Sequence, residues 1–264
     1  MTYEFEYPAF PEHLPELEQE VGKYRVRFAR NLDDLDEVLR LRYEVFNVEM
    51  GEGLAASEAT GRDLDPHDPT WHHIVVCLRK TGAIIGTYRV QTNEAAAAGG
   101  IGFYTNEEFH LEDLPEEILN NVVETGRACI AKKHRNGKVL FLLWLGLAHY
   151  LKHNQKRWLF GCCSLTSQDP EEGLSMYEYL QKSGGLWAEY DARPRADFVC
   201  ELPPNTVRTY PKVKVPRLMR IYLNYGMRIA SRPAIDRAFK TIDYLLLADR
   251  TKMTGGIFRD LDKV

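Results

Sequence analysis

The chain has 264 residues, of which 44% are hydrophobic and 27% charged, with a formal net charge of −4; this is the make-up of a soluble globular enzyme with one large core or two small ones. Its five cysteines, at positions 77, 129, 162, 163 and 200, are odd in number, lack CxxC spacing and follow no signal peptide, so a disulfide framework is excluded and a reduced, cytoplasmic protein is expected. The longest apolar run, residues 139–151, is shorter than the roughly 18 to 20 residues a membrane-crossing helix needs, which excludes an integral membrane protein and leaves peripheral membrane contact open.

Charge is unevenly spread. Residues 1–70 carry 17 acidic and 7 basic side chains, and residues 201–250 carry 4 and 10, so the two ends favour ligands of opposite sign. Residues 1–22, rich in Pro and Glu, read as an N-terminal arm, residues 23–250 as one domain and 251–264 as a C-terminal tail. Tyr24, Val26 and Phe28 alternate with Arg25 and Arg27, the pattern of a half-buried strand. Asn31 then caps a helix running to Met50, with Gly51 as its stop. Helical spacing puts Arg42 and Glu49 on the apolar stripe of Leu35, Val38, Leu39, Val45 and Phe46. A buried charge is costly unless paired or used; the alternative is that the Arg42 stem packs and its head reaches water.

Residues 51–70 are too polar and too long for a passive connection and read as a lid or binding loop. A hairpin follows, Trp71–Arg79 and Ala83–Gln91 about a turn at Lys80–Gly82. Val122–Ile130 reads as a strand, Ala131–Lys138 as a basic turn, Val139–His153 as a buried helix and Arg157–Ser164 as a strand, together a β-α-β unit. An amphipathic helix spans Glu171–Lys182. Residues 211–248 suggest two helices and a last strand, Thr241–Leu247.

The segment ETGRACIAKKHRNGKVLFLLW carries the most chemistry. Exposed N–H groups at the start of its helix, with Lys132, Lys133, Arg135 and Lys138 nearby, make an anion site suited to a pyrophosphate or phosphopantetheine arm; the plain alternative is a solvated basic loop. No Walker A, GxGxxG, GxSxG or HExxH motif is present, which disfavours nucleotide hydrolysis, dinucleotide binding, serine-based ping-pong chemistry and zinc proteolysis. The acidic run at 63–68 lacks calcium-loop spacing and His149 and His153 lack a partner glutamate, so no metal is expected. The acidic chain shows no nucleic-acid-binding module.

With Arg135, Asn136, Gly137 and Lys138, the basic turn resembles a degenerate form of the acyl-CoA-binding loop of the GNAT acyltransferases, R/Q-x-x-G-x-G/A, without its final small residue. GLSMYEYLQKSGG, from Gly173 to Gly185, looks like the helix after their fifth strand and carries over Tyr177 as the candidate acid. Arg42-x-x-Val45-Phe46 is similar to the R-x-x-V-F signature of acyl-homoserine lactone synthases. Gly61-x-Asp63-x-Asp65-x-x-Asp68, Arg89 in GTYR and Glu124 with Arg127 in ETGR are similar to their remaining charged positions. Where those enzymes place a tryptophan that helps bind S-adenosylmethionine, this chain has Glu52, which implies another amine. The runs VVETGRACIAKKHRNGKVLFLLWLGLAHYL, LFGCCSLTSQDP and YLNYGMRIASRPAIDRAFKTIDYLLL look more like the ornithine-lipid-type, hemolysin-like N-acyltransferases.

The resemblance implies an α/β (α+β) fold, a single GNAT-like domain with a mixed central sheet flanked by helices and a splayed β-α-β acyl-donor site. It implies transfer of a long-chain, 3-hydroxylated or plain, fatty acyl group from acyl carrier protein, or acyl-CoA, to the amine of an amino acid such as ornithine, lysine or glycine, with no bound cofactor. Glu124 is then the candidate base, the N–H groups near Ala128 and Ile130 the holders of the thioester oxygen, and Lys132, Arg135, Asn136, Gly137 and Lys138 the donor site. Arg42, Phe46, Asp63, Asp65, Asp68 and Arg89 are candidate lid and substrate residues. Strict alternation sends Arg127 to the face opposite Glu124, so shared use of both predicts an irregularity at Gly126; otherwise the two are a structural ion pair. A short-chain CoA-dependent acetyltransferase and a non-catalytic acyl-thioester binding module are the competing readings. The basic stretch PKVKVPRLMRIYLNYGMRIASR is open to three: a core helix, a membrane-surface helix, or a dock for the acidic carrier protein.

Overall fold

The computed structural model describes residues 3–254 and 256–259, so part of the tail expected over 251–264, and the first two residues of the arm, lie outside the described residues. The chain divides into two compact units, one of residues 3–102 and 123–156 and the other of residues 103–122 and 157–259.

In the first unit, β1 (Glu18–Val21), β2 (Tyr24–Phe28), β3 (His72–Leu78), β4 (Ile84–Thr92) and β5 (Val122–Ile130) pair in sequence order, each antiparallel to the next. The alternation read in β2 is observed: Tyr24, Val26 and Phe28 are buried. One face of this sheet receives helix α1 (Leu32–Tyr43), capped by Asn31, whose side chain accepts from the Asp34 amide. Leu35, Val38 and Leu39 pack there with Val75, Cys77 and Ile84. After α2 (Asn93–Ala98) and α3 (Glu116–Leu119), helix α4 (Gly137–His153) covers the other face. Its Gly146 is required by close approach, since a Cβ there would stand 2.5 Å from Ile74 Cγ2.

The helix read as continuous to Met50 is not. Residues Glu44–Glu49 form a π-helical turn, which widens the residues per turn and rotates later positions off the 3.6-residue stripe. Arg42, before the change, is fully buried. Glu49, the last residue of the π-helical turn, is exposed, so the inward position expected for it is corrected. Burying a charge selects for this: Arg42 has carboxylates to meet inside, whereas Glu49 finds its cation, Arg135, at the surface.

The second unit is built on β9 (Thr241–Asp249), to which β6 (Trp158–Leu165), β7 (Arg228–Ile229) and β8 (Ala234–Asp236) all pair antiparallel. Helix α5 (Pro170–Lys182) starts at the Asp169 cap, and α6 (Arg217–Asn224) buries Met219 and Tyr222; α7 (Gly256–Arg259) closes the described chain. The second helix expected between residue 211 and β9 is replaced by β7 and β8. Gly226, at φ +91°, ends α6, and Pro233, which can give no N–H to a helix, sits between two short strands that use β9 as their template. The five cysteines are free, and burial pushes the Cys163 thiol well above the usual thiol range and Cys129 up to about 12, which leaves both as packing residues.

His72 sets a pH limit on this fold. It is fully buried, with Nε2 2.7 Å from the Ala9 carbonyl and Nδ1 2.8 Å from the Tyr150 hydroxyl. The carbonyl can only accept, so Nε2 carries the proton and Nδ1 accepts from Tyr150. Burial lowers its pKa from 6.5 to about 4. Between those values the unfolded chain takes up a proton that the folded chain refuses. Stability is therefore complete above about pH 6.5 and falls by roughly 3 kcal/mol towards pH 4. His73, also held neutral by burial, adds to the slope. Urea titrations from neutral pH down to about pH 4.5 should show this decline, and His72→Gln should remove its larger part; an unchanged slope in that variant would refute the assignment.

Candidate active site

Six of the charged residues singled out in the sequence, from Arg42 to Arg127, meet in one buried cluster. Arg42 on α1 donates from Nε to Asp63 Oδ2 (2.7 Å) and from Nη1 and Nη2 to Asp68 (2.5 and 3.2 Å). Arg89 on β4 reaches Asp65 at 2.8 Å and Asp68 at 3.1 Å. Arg127 on β5 lies 3.3 Å from both Asp63 and Asp65. Three guanidinium groups thus face three carboxylates, and all six side chains are at most 8% exposed. The loop that supplies the aspartates is tied down from within: the Asp65 amide donates to Asp68 Oδ2 and the His67 amide to Asp65 Oδ1. Neighbouring arginines hold the carboxyls of Asp65 and Asp68 below the usual range against the opposing effect of burial.

The sheet explains how β5 contributes. In its register with β4, Gln91 lies opposite Glu124 and Arg89 opposite Gly126, but Thr87 lies opposite Cys129. Arg127 and Ala128 together therefore face a single β4 residue, which is a β-bulge. Arg127 adopts a left-handed φ of 50°, an uncommon state for a residue with a side chain. The irregularity expected at Gly126 thus falls one residue later. Its effect is the one argued from alternation: Arg127 turns to the face that carries Arg89 and Glu124. Gly126 serves the same end, since a Cβ there would stand 3.4 Å from Arg89 Nε.

Glu124 is fully buried and accepts a 2.7 Å hydrogen bond from Gln91 Nε2. Gln91 itself was not singled out in the sequence, and neither was His73, whose Nε2 is 3.4 Å from Asp68 and whose Nδ1 meets the Tyr7 hydroxyl at 2.9 Å. Trp71, which stacks under Arg89 with its ring 4.5 Å from the guanidinium carbon, completes the set. Strand pairing was the one available signal, because Gln91 and His73 share a face with Arg89. Phe46 is buried in the π-helical turn and Glu52 is buried just beyond it. Tyr177 lies on α5, where burial raises its phenol pKa.

The basic turn forms a short 3₁₀ helix, Lys132–His134, ahead of α4. Arg135 is committed: its two terminal nitrogens pair with Glu49 at 2.7 and 2.8 Å and its Nε donates to the Ile130 carbonyl. Asn136 caps α4, accepting from the amides of Lys138 and Val139, and its own amide donates to the Tyr24 hydroxyl. An anion seated on those amides must displace the Asn136 carbonyl. A groove of about 690 Å³ opens beside them, lined by Lys23, Tyr24, Asn136, Gly137, Lys138 and the β1–β2 turn. Among the described residues one group of acids, Glu108, Asp236 and Asp243, stands close enough to hold a cation. Phe239, Thr241 and Ser164 already donate to two of its three members.

Residues 41–145, which hold this cluster and the basic turn, match the acetyltransferase (GNAT) domain family. An L-ornithine N(alpha)-acyltransferase from Rhizobium meliloti (strain 1021) is 30% identical over 250 residues, covering 89% of this chain and 83% of the relative. The chain belongs to the L-ornithine N(alpha)-acyltransferase family. A further family member, from Brucella abortus (strain 2308), is 29% identical over 242 residues, 86% of this acyltransferase and 84% of its own length. An N-acyl amino acid synthase from uncultured soil microbes superposes with a TM-score of 0.52 at 9% identity, over 89% of the acyltransferase and 97% of the synthase. The acyltransferase thus has the GNAT fold expected from its motifs, and it is an enzyme of N-acyl transfer. No described helix is long and apolar enough to cross a membrane.

Proposed function

We propose that this acyltransferase moves a long fatty acyl group, plain or 3-hydroxylated, from the phosphopantetheine thioester of acyl carrier protein to the α-amine of ornithine. The observation that carries the acceptor is the family itself: relatives matched over most of the chain are named for that amine. In the reaction the neutral amine attacks the thioester carbonyl, a C–N bond forms, the tetrahedral oxyanion collapses, and the C–S bond breaks to release a thiolate. Glu124 takes the ammonium proton, and backbone N–H groups at Ala128 and Ile130 hold the oxyanion. Because Glu124 is buried, that transfer runs through a relay or follows seating of the amine.

The three aspartates are each committed to arginine, which supports a structural role for the loop, with Arg42, Phe46, Asp63, Asp65, Asp68 and Arg89 shaping the acceptor side, over direct capture of a cationic amine. Lys132, Arg135, Asn136, Gly137 and Lys138 form the donor side, the two lysines meeting the acidic carrier or the phosphate. Thiol release with purified enzyme, measured across acyl carrier protein and CoA donors of short and long chain and across ornithine, lysine and glycine, tests the whole reading. Turnover is expected to be highest for long-chain carrier protein with ornithine. Preference for acetyl-CoA would replace it with a short-chain acetyltransferase, and a higher rate with another amine would replace the acceptor.

A further inference from the structure

Residues 202–235 contain seven Lys or Arg side chains and no Asp or Glu. Within them, residues 203–216 run as a strap without regular structure into α6. The strap is pinned at its middle by α5: Glu171 accepts the amides of Thr209 and Tyr210 and the Thr209 hydroxyl, and Arg208 pairs with Glu178 and stacks on the Tyr210 ring at 4.3 Å. Hydrogen bonds thus hold its middle, and in its second half Val213 and Val215 are half-buried while Lys212 and Lys214 are exposed. Val207 is left 87% exposed and Tyr210 61% exposed. Beyond them Lys212, Lys214, Arg217 and Arg220 are exposed, and among the described residues none pairs with a carboxylate. Helix α6 tucks Met219 and Tyr222 inward and leaves its arginines outside.

We infer that this strap is a contact surface for an anionic phospholipid bilayer, with Val207 and Tyr210 entering the headgroup layer and Lys212, Lys214, Arg217 and Arg220 lying on lipid phosphates. Cations alone would match any acidic partner. An aliphatic and a tyrosyl side chain held out to water on an extended strap suit a fluid, deformable surface in which amphipathic rings and basic side chains sit at the interface. The enzyme as a whole is acidic, so binding depends on this local field and is screened by salt. The inference is independent of the proposed amine and donor.

Sedimentation of the full-length enzyme with vesicles tests it without substrate. The enzyme is expected to pellet with phosphatidylglycerol-containing vesicles and to remain in solution with phosphatidylcholine alone. Replacing Lys212→Gln with Lys214→Gln should lower partitioning roughly 25-fold, at about fivefold per charge near a membrane. Val207→Ser with Tyr210→Ser should lower it about tenfold and leave a weaker, wholly salt-sensitive interaction. Both double variants should keep wild-type acyl transfer with soluble substrates, which shows that they fold. Equal binding to both vesicle types, or wild-type partitioning in either variant, overturns the inference. So does an enzyme that ignores vesicles while an acidic carrier protein titrates onto the same four cations.

Discussion

Replacing Glu124 with glutamine is expected to lower turnover by about 10²- to 10⁴-fold, the usual contribution of a general base, with the apparent affinity for the acyl donor unchanged. The substitution is nearly isosteric, and the glutamine carbonyl can still accept from Gln91 Nε2, which now donates to Glu124 at 2.7 Å. What it removes is the negative charge and the proton-accepting pair. Single-turnover rates with saturating donor, alongside the thermal midpoint, separate the two roles open to a buried carboxylate. A large fall in rate with a midpoint close to wild type assigns the base. A wild-type rate, or a fall that tracks lost stability alone, would return Glu124 to a structural position.

Asp68→Asn should produce the largest loss of stability, about 3–5 kcal/mol, the range for removing one partner from a buried ion pair. Asp68 accepts from Arg42, from Arg89 and from the Asp65 amide, and faces His73. Without its charge, three buried arginines share two carboxylates. The loss should appear as a lower urea midpoint with little change in slope. Combining it with Arg42→Met restores the charge balance and should cost less than the sum of the single changes. Strict additivity would mean that the cluster does not act as a unit.

This cluster shows where sequence was sufficient. Its members were legible because Arg42 stood on an apolar helix stripe, where a charge has to be paired, and because Asp63, Asp65 and Asp68 by their spacing, with Arg89, Glu124 and Arg127 in GTYR and ETGR, resembled a family signature. The strands β2 to β5, the Asn31 cap and the helices α4 and α5 follow from local periodicity and turn chemistry, which act over a few residues, whereas β1 lies within the stretch read as an arm. Gln91, His73 and Trp71 were missed because their partners are 33, 5 and 18 positions away and become neighbours only through strand register or packing.

By itself, then, the sequence determined the GNAT fold, the family and the identity of most charged residues, since these rest on motifs and on the cost of burying charge. Only the tertiary structure decided three things. The π-helical turn sent Glu49 out to Arg135 instead of inward with Arg42, because a wider turn resets every later position. The bulge that turns Arg127 to the Glu124 face, expected at Gly126 because alternation alone would separate the two side chains, was placed one residue later by the pairing of β5 with β4. The stretch after α6 became two short strands on β9 in place of a helix, because a strand edge supplied hydrogen bonds that the local sequence, broken by Gly226 and Pro233, could not supply to itself.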